Sequence, residues 1–85
     1  MRLYVAGASR LSQRAVDNVR EFCERELAGN YQLEVIDLYR AADQARTAQI
    51  FAAPTLLRHA PEPARRVVGD MSDRDRLRAV ITAVG

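Results

Sequence analysis

Lysine is absent from this 85-residue chain, and cysteine and histidine occur once each. No apolar run approaches the roughly 20 residues that a membrane-spanning helix needs. The lone Cys23 excludes an intrachain disulfide and any paired-cysteine redox motif, and it fits a reducing compartment such as the cytoplasm. His59 has neither a second histidine nor a cysteine at metal-ligand spacing, so a zinc site is not expected. Without lysine, all thirteen basic residues are arginine, set against eleven acidic ones. Arginine suits bidentate contacts with carboxylates at interfaces, although genome base composition produces the same bias. The net charge of +2 is too small to argue for nucleic acid, and there is neither a basic run nor an aromatic pair for stacking bases. Gly7 and Gly29 do not form a phosphate-binding loop.

What is present reads as one domain over residues 1–85. Hydrophobic residues make up 48% of the chain, which argues against wholesale disorder. The opening Met1-Arg2-Leu3-Tyr4-Val5 runs straight into a strand pattern and lacks a signal peptide's apolar region. Arg2 to Ala6 reads as a first strand with Leu3 and Val5 on one face. Ser12 is the expected N-cap of a helix through about Ala28, with Gly29-Asn30 as its stop. Val16, Val19, Phe22, Cys23 and Leu27 recur there at helical spacing. Tyr31 to Leu38 is the second strand, with Leu33, Val35 and Ile36 as its apolar content. A parallel, right-handed crossover should join the two strands.

Ala41 to Phe51 is an alanine-rich second helix with weak anchors. Pro54 then ends the helical run, because it removes a donor and moves Ala53 out of helical space. Thr55 to His59 and Arg65 to Gly69 should pair as a hairpin across Pro61-Glu62-Pro63. Ser72-Asp73-Arg74-Asp75 looks like a capped helix start, followed by a buried stripe of Leu77, Val80, Ile81 and Val84. The order is βαβαββα: an α/β, thioredoxin-like fold with a four-stranded mixed sheet and three helices. A proline at the Pro54 place is usually cis in such folds, and only an X–Pro bond makes that form cheap.

Four segments in order carry a closer resemblance: Leu3-Tyr4-Val5-Ala6-Gly7, Leu33-Glu34-Val35-Ile36-Asp37, Ala53-Pro54-Thr55-Leu56, and Val67-Val68-Gly69-Asp70-Met71-Ser72-Asp73-Arg74. Together with the Pro-x-Pro loop, they resemble the KaiB family of bacterial circadian-clock proteins. The sensor domain of the clock kinase SasA is the next nearest family. The resemblance implies a non-enzymatic, cytoplasmic adaptor that binds a KaiC-type ATPase ring, with KaiA- or SasA-like proteins as further partners and no cofactor. It also implies capacity for a second, tetrameric βαββααβ ground state. The local signals favour the thioredoxin-like form and a monomer. Matching partner-binding positions are Arg14, Arg58, Arg65 and Arg66; structural or switch positions are Pro54, Pro61, Pro63, Gly69 and Asp70. The chain differs from the family pattern at Arg40-Ala41-Ala42-Asp43, at Gln49 and at Glu62.

Other candidates have plainer readings. A thioredoxin-like nucleophile would sit at the first helix's N-terminus, but Ser9-Arg10-Leu11-Ser12-Gln13 holds no cysteine. Cys23 lies three turns along on the apolar stripe, which makes it a buried structural thiol. A diverged thiol- or glutathione-dependent enzyme and a detached SasA-type sensor domain are the competing functions. His59 reads as a polar residue at a strand end. Asp70, Asp73 and Asp75 lack a calcium loop's glycine and terminal glutamate, so helix capping accounts for them. Arg65 and Arg66 must face opposite sides of their strand, so at most one shares a face with Arg58.

Overall fold

The computed structural model describes residues 1–50, 52–60 and 63–82. The expectations placed on Phe51, Pro61 and Val84 lie outside these residues. Among the described residues, seven elements appear in the expected order: β1 Arg2–Val5, α1 Arg10–Leu27, β2 Glu34–Asp37, α2 Ala42–Thr47, β3 Thr55–Arg58, β4 Arg65–Val68 and α3 Arg74–Ile81. The sheet order is β2-β1-β3-β4, with β1 and β2 parallel and the other pairs antiparallel. This is the thioredoxin-like mixed sheet with three helices.

Alternation along β1 decides the layering, because successive side chains in a strand point to opposite faces. Leu3 and Val5 meet Leu56, Val67, Ala15, Val19, Phe22, Cys23, Leu77 and Val80 in the larger core, beneath α1 and α3. Tyr4 points the other way and joins Ile36, Ala45, Ile50 and Leu57 beneath α2. A single strand thus feeds both cores.

Element ends depart from the sequence expectation in ways that backbone chemistry explains. The N-cap of α1 is Ser9, whose Oγ accepts the Ser12 N–H at 3.2 Å. Ser12 is buried inside the first turn, where its own Oγ accepts the Ala6 N–H at 3.0 Å and ties α1 to the end of β1. β2 is shorter than expected, and Val35 on this edge strand stays partly exposed. The Asp73 side chain caps α3 by accepting the Arg76 N–H at 3.1 Å, and the helix runs to Ile81 with Thr82 as its C-cap.

The second helix differs most, ending at Thr47 rather than Phe51. Ala41 offers no side-chain cap at its start. At its end Gln49 turns left-handed (φ 57°), the Gln49 N–H donates to the Arg46 carbonyl, and the Ile50 N–H donates to the Ala45 carbonyl. That pair of bonds is a Schellman closure, and Ile50 packs in the same core as Ala45.

Candidate functional site: the arginine surface and its supports

The strand register separates the four arginines singled out in the sequence. Arg58 stands opposite Arg65, and Leu57 stands opposite Arg66. Directly opposed residues share a face, so Arg58 and Arg65 lie on the α1–α3 side and Arg66 on the α2 side. The sequence limit of one arginine per face beside Arg58 therefore holds, and that arginine is Arg65. Arg14 is exposed on α1 and near Asp70, at the far end of β4 from Arg65.

Exposure sorts them further. Arg58 is only 6% exposed, so it presents little surface. Arg65 is exposed and, among the described residues, makes no ion pair. Arg66 is also exposed, yet its guanidinium donates from Nη1 to the Gln49 carbonyl at 2.8 Å and from Nη2 to the Ala48 carbonyl at 3.3 Å. By contrast, Arg74 and Arg25 share Glu21, and Arg78 pairs with Glu26 while lying 5.7 Å from the Phe22 ring. Such exposed pairs knit α1 to α3 but contribute little stability each.

Of the proline and glycine positions, Pro54 and Gly69 meet at the Asp70 end of β4. The Ala53–Pro54 peptide is cis, and Pro54 is buried at the entrance to β3. Its carbonyl accepts the Gly69 N–H at 3.0 Å, which pins the exit of β4 against that entrance. Gly69 has φ +126°, a region that side chains rarely adopt, although a Cβ there would meet nothing within 4 Å. Backbone conformation, not space, requires glycine. Pro63 is exposed on the approach to β4.

Asp70 is not a helix cap, which corrects the sequence reading. Its Oδ1 accepts the Ser72 N–H at 3.0 Å, closing a local turn one residue before the Asp73 cap. The Ser72 side chain and backbone hold the Asp70 carboxyl below the usual carboxylate range, and Arg14 adds to that lowering. The same turn places Met71 in the larger core and receives the Asn18 side chain on its backbone.

The thiol and the serines near the start of α1 have these surroundings. Cys23 is fully buried, and burial pushes its thiol up to about 11. A thiol so placed is a poor nucleophile at neutral pH. The N-cap Ser9 and first-turn Ser12 hydroxyls each accept a backbone N–H. His59 is exposed just past β3, and no cluster of three or more metal-ligating side chains occurs among the described residues. None of the helices there is long and apolar enough to cross a membrane.

One feature escaped the sequence reading. Tyr39 is 79% exposed, and its ring packs over Gly7, where a Cβ would come within 3.2 Å of it. Asp37 arranges this corner, accepting the Gly7 and Tyr39 N–H groups on one carboxylate oxygen. The Asp37-to-Tyr39 spacing of an Asx-type turn was the available signal.

Comparison with known proteins matches residues 2–83 to the family model described as KaiB domain. A circadian clock oscillator protein KaiB from Prochlorococcus marinus (strain MIT 9312) is 43% identical over 77 residues, covering 91% of this chain and 73% of the relative. A second from Prochlorococcus marinus (strain NATL2A) is 43% identical, covering 91% and 72% respectively. One from Synechococcus sp. (strain RCC307) is also 43% identical, covering 91% and 70%.

Proposed function

The chain belongs to the KaiB family of circadian clock proteins, and on that footing we propose that it is a non-enzymatic adaptor that docks onto a KaiC-type ATPase ring. The observation that carries this reading is that β3 and β4 pair antiparallel and the capped helix α3 packs with them, β1 and α1 in one core. That arrangement is the thioredoxin-like form to which the family resemblance attaches ring binding. Arg14 and Arg65 supply exposed positive charge for acidic groups on the ring, buried Arg58 stands opposite Arg65 on the same face, and Arg66 lies in the same strand as Arg65 but on the other face. The protein works as a cytoplasmic monomer in this form, and KaiA- or SasA-like proteins are its further partners. Cys23, buried and hard to ionise, supports an adaptor over a thiol-dependent enzyme.

The test is co-sedimentation of the purified chain with a KaiC-type ring, loaded with ATP and then with ADP. A complex in one nucleotide state supports the proposal, and no complex in either state contradicts it. Backbone NMR shifts separate this form from the βαββααβ alternative, since residues 74–81 are helical here and would be rebuilt there.

A further inference from the structure

The second helix is the least anchored element of the fold. It has six residues, no side-chain N-cap, and Ala45 as its only buried residue. Its Schellman closure bonds the Arg46 and Ala45 carbonyls and turns the chain at Gln49. The Ala48 and Gln49 carbonyls lie beyond that closure, at the negative end of the helix. Both are taken by Arg66, which reaches across from edge strand β4. The register explains how it gets there. Arg66 stands opposite Leu57, a member of the core that α2 covers, whereas neighbouring Arg65 faces the other side of the sheet.

We propose that Arg66 is a latch: its two-pronged guanidinium contact holds the C-terminal turn of α2 on the sheet, and releasing it lets α2 open without unfolding the rest. A planar guanidinium suits this role, since it can serve two carbonyls at once, whereas an ammonium donates from a single nitrogen. Opening would uncover the side of the sheet that carries Tyr4, Ile36 and Leu57. The latch is a property of the free chain and does not depend on the docking reading.

Amide hydrogen exchange, followed by NMR on the full chain, tests it. In Arg66→Gln, the Ala48, Gln49 and Ile50 amides should exchange about tenfold faster than in wild type, because charged hydrogen bonds are the stronger ones and exchange reports local opening. Val19 and Phe22 in α1 should keep their wild-type rates. Arg66→Lys should fall between the two. Arg65→Gln, which removes the same charge from the same strand, should leave α2 unchanged. The latch is overturned if Arg66→Gln exchanges no faster at α2 than Arg65→Gln, or if α1 and α2 accelerate equally.

Discussion

The Asn18 side chain in α1 donates from Nδ2 to the Asp70 carbonyl at 2.8 Å, bridging 52 residues of sequence. This bond joins the first helix to the turn between β4 and α3, so the two halves of the chain are fastened there. Asn18→Ala should lower unfolding free energy by about 1 kcal/mol, the usual worth of one neutral hydrogen bond. Urea denaturation would show it as a lower midpoint with an unchanged slope.

Tyr4 is fully buried under α2, and its hydroxyl has no hydrogen-bond partner among the described residues. Desolvating a hydroxyl without a partner is unfavourable, while the ring itself fills the core. Tyr4→Phe should therefore stabilise the fold by about 1 kcal/mol, against the usual direction of core substitutions. Thermal and chemical unfolding of the two proteins, side by side, would check the sign.

Burial raises the Cys23 thiol from its ordinary value of 9.0 to about 11. The unfolded chain then releases that proton at lower pH than the folded one. The thiol's contribution to stability is fully present below pH 9 and is lost as pH rises toward 11. Tyr31, whose hydroxyl donates to Glu24 at 2.8 Å, is also shifted upward and acts in the same direction. Comparing wild type with Cys23→Ala between those pH values isolates the thiol: the variant should lose stability less steeply. At neutral pH, alkylation of Cys23 should be slow until denaturant is added.

Much of the fold was legible because local chemistry and burial agreed. Leu3 and Val5 alternate with Tyr4, Pro54 blocks a helix before β3, and Asp73 precedes a stripe containing Leu77 and Val80. The misplacements have physical causes. Ser9 and Ser12 are equally good caps by type, and only the turn at Gly7 settles which one starts the helix. The end of α2 was hidden because Gln49 is not a residue that advertises a left-handed turn. The arginines were the least legible part. Type alone gives Arg58 no reason to be buried, and the opposition of Arg58 to Arg65 and Leu57 to Arg66 exists only once the strands pair. The contact from Arg66 to the carbonyls of α2 follows from that register and had no counterpart in the sequence pattern.

Docking of this thioredoxin-like form onto a KaiC-type ring, as proposed, runs through exposed positive charge. Its most direct test is the association rate of the purified chain with such a ring across a salt series, for wild type, Arg14→Glu and Arg65→Glu. Electrostatically steered encounter should give a complex whose association slows with added salt and slows about tenfold or more in each variant. Absence of any complex, or rates indifferent to salt and to both charge reversals, would contradict it.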